Sequence, residues 1–516
     1  MFGPVITQLR RRDLNESKQN NQLPKMVIKL NKQINSNKED SFAKLLGNFG
    51  RWQLLVFGAV SLVKLTSGWV QMTILFLTPN LSFRCASLPN GTVEVVNNTC
   101  YAECQRYEYD TSPFQNTIVS EWGLVCERRW LASFTQTMLQ LGILIGSVIF
   151  GFLSDRYGRK NTFLTSIVLV IAFGLGVPFS PNYETFTALR FLLGVATAGT
   201  MVVSFVIVME SVGPKYREVT GCLFQIPFII GHMTVPLFAY FFRSWNTYTL
   251  ALGIPALIYL GYFFILTESP RWLVSVGRVE DATKIVKKAA IINNMPTTKI
   301  EETLTKLSQE LTSQSSEPKR NYSDLFQASL RLKTVCCCVM WLVTGVTFFG
   351  FNQYISQTSP DPFLSVALAG AIQIPSNLIS IWLISKFGRR LTTSIFFILG
   401  GVFVVVLAFV PKIFAITLTL GTLGVSCGAI VATTLYIFTS ELYPTVVRNM
   451  GMGACSTSMR VGSMLAPFIS NTAGSLPWLP TAIFGVAPIA AGLVCLILPE
   501  TKGRSLPDSI EDLSRE

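Results

Sequence analysis

Charge is scarce in this chain. Only 14% of its 516 residues are Asp, Glu, Lys or Arg, 50% are hydrophobic, and the mean hydropathy is +0.45. A soluble chain of this length would divide into several domains with many more charges, so a polytopic membrane protein is expected. Histidine is scarcer still, with His232 alone. One imidazole, no acid in the middle of an apolar segment and no metal-ligand cluster leave no groups for acid–base or metal-assisted chemistry. An enzyme is therefore not expected, nor a metal or other cofactor. No zinc-type cysteine spacing and no phosphate-cradling glycine loop is present, so ATP is not the driving force. Acids number 29 against 42 bases, a net charge of +13. In a soluble protein that excess would raise nucleic acid as a partner. Here the lipid bilayer accounts for it, because Lys and Arg collect on cytoplasmic loops. Residues 1–50 lack an apolar run, so no cleavable signal peptide is expected and the first apolar segment does the targeting.

What is present is apolar sequence in long blocks. About 20 apolar residues cross a hydrocarbon core of about 30 Å. On that basis twelve spans are predicted, numbered 1 to 12: 53–77, 131–153, 161–181, 187–210, 219–242, 247–267, 334–356, 362–385, 392–411, 413–438, 450–472 and 479–498. The expected domains are a cytoplasmic N-terminal segment (1–52), a six-helix half (53–267) with an extracellular loop (79–130), a cytoplasmic linker with short helices (268–333), a second six-helix half (334–498) and a cytoplasmic tail (499–516). With both termini inside, 33 of the 42 Lys and Arg lie in cytoplasmic segments, six lie outside, and Lys64, Arg190 and Arg460 lie within spans. That bias supports the orientation and puts residues 79–130 in an oxidising compartment. Cys85, Cys100, Cys104 and Cys126 are then expected to form two disulfides in one of three pairings. Asn90 and Asn97, in N-G-T and N-N-T, become glycosylation candidates. Cys336 to Cys338 open a span and read as small apolar filler.

The halves echo each other. "GFLSDRYGRK" follows span 2 and "IWLISKFGRR" span 8; "MESVGPKYRE" follows span 4 and "TSELYPTVVRN" span 10; "LTESPRW" follows span 6 and "LPETKGR" span 12. Gly158 and Gly388 are 230 residues apart, Glu210 and Glu441 231, Glu268 and Glu500 232. Two six-helix repeats joined by a linker follow, a design that binds solute near the midplane and alternates access. In the turn after span 2, Gly158 relieves the backbone. Asp155, Arg156, Arg159 and Arg217 are placed to pair with Glu210 as a charge latch across helix ends; the alternative is a positive turn that only sets topology. Arg389, Glu441 and Arg448 repeat the set, with Ser385 in place of the acid, so the second latch is expected to be weaker.

These stretches resemble the major facilitator superfamily. Together with "EWGLVCERRWL", "ESPRWL" and "LPETKGRSLPDSIEDL" they resemble its organic cation, organic anion and carnitine transporter branch, over residues 50 to 513. The resemblance implies an all-α membrane protein of twelve helices that carries small organic ions. The outer loop is shorter than is usual there and has four cysteines where many members have six. "FLLGVATAGTMVVSFVIVMESVGPKYRE" resembles the invertebrate members more than the mammalian ones.

The resemblance also ranks positions by substrate charge. Arg460 matches a position where anion-type and carnitine-type members carry arginine and cation-type members aspartate; a guanidinium forks onto a carboxylate. The alternative is an Arg paired within the bundle. Lys64, Gly68, Gln71 and Leu75 share one helical face of span 1, and Gln71 matches a polar pocket position, so that face is expected to line the cavity. Lys64 is either a second anion contact or a cation that snorkels to water. Gln373 stands where many members are acidic, and Asn377 where anion-type members have lysine. Trp341, Phe348 and Phe349 match aromatic wall positions, with Tyr354 and Tyr436 as polar supplements. His232 is read as packing rather than as a proton relay. The expectation is a plasma-membrane carrier that alternates access. Its substrate is an organic anion or a carboxylate-bearing, carnitine-like zwitterion, with a coupled ion or exchanged solute left open. An organic-cation carrier is the alternative, and a non-transporting receptor or scaffold the remote one.

Overall fold

The computed structural model describes residues 41–87, 97–101, 104–112, 114–314, 322–410, 413–444, 447–472, 476 and 478–503. The glycosylation candidate Asn90 lies outside them; Asn97 is exposed in a turn. Eleven helices among the described residues are long and apolar enough to cross a membrane, from Arg51–Leu77 to Trp478–Cys495. The expected twelfth, span 11, is a continuous helix, Arg448–Asn471. It falls short because Arg460 and a run of Ser, Thr and Gly make it polar. Gly451, Gly462, Ser463 and Ser470 on it are buried, as expected where small and polar residues favour close helix packing.

Proline marks the breaks in spans 5, 6 and 8, while span 1 breaks at Thr73 without one and Pro236, Pro467 and Pro488 sit inside continuous helices. Span 5 is Arg217–Leu223 followed by Ile226–Phe241; Pro227 cannot donate to the Leu223 carbonyl. Span 8 is Pro362–Ala371 followed by Gln373–Phe387, with Pro375 unable to donate to Ala371. Span 6 was expected as one helix. It is Trp245–Gly253, then 3-10 turns over Ile254–Gly261 entered at Pro255, then Tyr262–Ile265.

The repeat extends into the packing. A Cβ on Gly68 would stand 2.5 Å from the Phe228 carbonyl oxygen, and one on Gly231 2.4 Å from that of Leu65, so spans 1 and 5 meet backbone to backbone. Gly345 and Gly462 join spans 7 and 11 in the same way, 2.1 Å from the Met459 and Leu342 oxygens. Gly231 and Gly462 are 231 residues apart, the offset of the loop motifs.

By compactness the chain divides into two units. One holds residues within 1–55, 209–218 and 270–315. Its helices include Pro270–Ser275, Val279–Ile292 and Ile300–Gln314. Val279–Ile292 buries Ala282, Val286, Ala289 and Ala290 along one face, as an amphipathic helix does. Asn293, just past its end, donates to the Leu46 carbonyl (2.8 Å) and to Gln53 Oε1 (2.7 Å) and accepts from Trp52 N (2.9 Å). The other unit, within 56–208, 219–269 and 316–516, carries the body of the spans.

The loop after span 1 folds around an antiparallel hairpin, Phe83–Ser87 with Arg106–Tyr109. Of the three possible pairings the structure has Cys85–Cys104 and Cys100–Cys126. Its later part sits on the ends of spans 4 and 6: Trp122 packs on Phe186 and Trp245, and the Trp245 indole donates to the Glu121 carboxylate.

Candidate functional site

At the linker ends of the helices the two repeat turns are built alike. Gly158 and Gly388 have φ of +97° and +89°, a left-handed region open to glycine. Each is followed by a helix whose first amides point at a carboxylate. Glu268 accepts from the backbone N–H of Arg159 (2.8 Å) and Lys160 (3.0 Å), and Glu500 from those of Arg389 (2.9 Å) and Arg390 (3.0 Å). A carboxylate is favoured there by the free amides and the helix dipole. Sequence reading used both glutamates as landmarks of the repeat and missed this role.

Arg159 pairs with Asp155 at 2.8 Å, while the Arg156 guanidinium lies over the Tyr157 ring. The Glu210 carbonyl accepts from Arg271 Nε (2.7 Å), and Arg217 Nε donates to the Val212 carbonyl (3.3 Å). Ser385 bonds to its own helix, at the Trp382 carbonyl, yet the second set is not weakly made. Arg389 reaches Glu441 Oε1 with Nε (3.2 Å) and its terminal nitrogen (2.8 Å), and Thr501 donates to the other oxygen (2.6 Å). The pair is four-fifths buried, whereas Asp155 is 78% exposed. Arg448 does not join it: its Nε and one terminal nitrogen are buried without partners. The helix of Glu441 ends at Leu442 and Arg448 starts the next one, so the seven-residue spacing does not bring them together.

At mid-depth, Arg460 is half-buried and donates to Gln71 Oε1 at 3.4 Å, joining span 11 to span 1. Lys64 is 6% exposed, with its ammonium 4.9 Å from the centre of the Phe224 ring at the break in span 5. It is close enough to Arg460 for the two charges to interact. Among the described residues no carboxylate pairs with either. Tyr436, partly exposed, also senses the Arg460 charge and stands edge-on to Trp341 at 4.4 Å. Trp341 is buried and donates to Thr439 Oγ1 (2.9 Å). Phe348 and Phe349 meet edge to face, and Tyr354 packs on Phe484.

The expected cavity face of span 1 needs correcting. Gly68 packs on span 5, and Leu75 lies in an apolar cluster with Trp69 and Phe76. Gln71 is 1% exposed, its amide turned to Arg460 and to Met201 Sδ. Gln373 is likewise enclosed: its amide nitrogen donates to the Ala369 carbonyl (2.9 Å) and meets His232 Nδ1 (3.0 Å). His232 therefore links the halves as well as packing. Asn377 Oδ1 accepts from Thr433 on span 10.

Further side-chain links between the halves lie toward the disulfide-loop end. Ser133 donates to the Pro467 carbonyl (3.0 Å) and Thr137 to that of Met464 (2.8 Å); Asn471 donates to Ser133, and Gln357 to the Thr78 carbonyl (3.4 Å). Phe363 stacks on Phe76 and stands edge-on to Tyr240. Sequence reading also passed over Gln136, which donates to the Gln71 carbonyl and accepts from Arg190. Neutral amides within apolar runs were the available signal.

Two like halves of six helices, meeting at an interface that carries buried cations and aromatic rings, define a membrane transporter of the major facilitator fold. Residues 90–512 match the family model described as Sugar (and other) transporter, and the chain belongs to that family. It is 32% identical to the organic cation transporter protein of Drosophila melanogaster, over 90% of this chain and 93% of that one. It is 34% identical to solute carrier family 22 member 13 of Homo sapiens (77% and 71%) and 30% identical to organic cation/carnitine transporter 2 of Mus musculus (92% and 94%). In three dimensions it is similar to the inward open xylose transporter XylE from E. coli, with a TM-score of 0.63 at 19% identity over 90% and 99% of the chains, a likeness of fold alone.

Proposed function

We propose that this protein carries organic anions, or zwitterions bearing a carboxylate, across the plasma membrane by alternating access, with both termini cytoplasmic. Residues 53–267 and 334–498 move against each other, and the charge sets at their linker ends latch one of the two states. Arg460 is the carboxylate anchor. Lys64 adds positive potential, and Gln71, Trp341, Phe348, Phe349, Tyr354, Gln373, Asn377 and Tyr436 form or support the walls. The observation that carries this reading is the charge balance: Arg460 is half-buried at the interface, its partner is a neutral amide at 3.4 Å, and its ionisable neighbour Lys64 is a base and not an acid. A guanidinium so placed gains most from a bidentate carboxylate, whereas a cation without an acid of its own meets a like charge at Arg460 and a second base beside it.

The test is uptake of a monocarboxylate, a betaine-type zwitterion and a quaternary ammonium by wild type and Arg460→Ala. One of the first two is carried, and the substitution lowers its uptake at least about tenfold, since truncating a buried charged partner costs about 2–5 kcal/mol. Strong quaternary ammonium uptake that ignores the substitution would overturn the reading. An organic-cation carrier is the second reading. It is favoured by the name of the fly relative and by the exposed Tyr436 ring beside Trp341, a surface suited to a cation.

A further inference from the structure

The first half lines a cavity of about 40 Å³ among spans 1, 2, 3, 4 and 6, with Trp69, Thr73, Arg190 and Thr249 in its wall. The repeat-related spans 7, 9, 10 and 12 line one of similar volume, but the two differ in charge. Where the first half has Arg190, the second has Gly421, 231 residues on. Arg190 is 3% exposed. A terminal nitrogen donates to Gln136 Oε1 at 2.6 Å, its Nε is buried without a partner, and among the described residues no carboxylate pairs with it. Tyr248, 2% exposed, stands near Arg190 and Thr73 with no hydrogen-bond partner of good geometry for its hydroxyl. The wall hydroxyls of Thr73 and Thr249 are already donated to the Trp69 and Trp245 carbonyls. A buried guanidinium without counter-charge and a buried hydroxyl without a well-made hydrogen bond are both costly; Arg190 lines the cavity, and Tyr248 stands next to two of its wall residues, Arg190 and Thr73.

We propose that this cavity binds a small monovalent anion of halide size, held by the Arg190 guanidinium and the Tyr248 hydroxyl. Its volume admits one halide or roughly three waters. The site is separate from the Arg460 interface and does not depend on the transport reading. A route connects them: Gln136 links Arg190 to the Gln71 carbonyl, and Gln71 Oε1 accepts from Arg460.

The experiment follows the melting temperature of the purified full-length chain in chloride, bromide or gluconate at constant ionic strength. Both halides raise it saturably over gluconate. Arg190→Gln removes the halide-specific rise, and Arg460→Gln keeps it. Tyr248→Phe deletes a hydroxyl that makes no well-formed protein hydrogen bond, so in gluconate it melts close to wild type and stays informative if Arg190→Gln fails to fold. In chloride its half-maximal concentration rises about tenfold, the loss of one hydrogen bond to a charged group. A wild-type melting temperature indifferent to halide overturns the proposal. So does a halide response that survives in Arg190→Gln, is unchanged in Tyr248→Phe, or vanishes in Arg460→Gln.

Discussion

At the scale of single residues, the buried charges were legible and their partners were not. Lys64, Arg190 and Arg460 stand out in any hydropathy reading, because a charge in an apolar run is expensive. Whether each meets an acid, an amide or a ring depends on which helices cross at its depth. Gln373 illustrates this. The family resemblance placed it at a substrate-binding position, yet its amide is enclosed and meets His232 Nδ1 at 3.0 Å while His232 Nε2 is already unpartnered. Gln373→Leu therefore leaves a buried ring with neither nitrogen satisfied, at about 1–3 kcal/mol. The expected outcome is a melting temperature several degrees lower, partly recovered by adding His232→Phe. An unchanged melting point for the single variant would show that the pair contributes nothing.

At the scale of elements, helix existence was legible because about 20 apolar residues in a row have few alternatives in a membrane. Helix continuity was less so. Prolines 227, 255 and 375 sit within predicted spans 5, 6 and 8, and each adjoins a change of helical course. The repeat turns were legible to the residue: glycine at 158 and 388 reported a backbone that L-residues avoid. At Gly388 an added Cβ would also stand 2.6 Å from the Glu500 carboxylate, the group that caps the following helix. Gly388→Ala is expected to cost more than about 1–2 kcal/mol, read as lost thermal stability and lower surface expression. Gly151→Ala, within span 2 and with no atom within 4 Å of the new Cβ, is expected to be neutral or stabilising. Equal losses at both positions would mean that the turn conformation is not what matters.

At the scale of the whole molecule, the halves are linked near the disulfide-loop end by hydrogen bonds from Ser133, Thr137 and Gln357. If access alternates, those links must part in each cycle. Thr137→Cys with Met464→Cys, bridged by a short thiol-specific cross-linker, is expected to abolish uptake, while each single variant treated alike keeps it. Uptake that continues in the cross-linked protein would exclude separation of the halves at this point. The chain order alone determined the membrane class, the number of helices and the two-fold repeat. Apolar length and matched motifs are local or periodic properties that need no partner to be read. Only the tertiary structure decided the disulfide pairing, the Arg389–Glu441–Thr501 set in place of one with Arg448, the glycine contacts of spans 1 with 5 and 7 with 11, and the joining of Arg460 to Gln71 and of Gln373 to His232. Each of these depends on which residues of distant segments arrive at the same depth and angle, which helix crossing fixes and spacing along the chain does not.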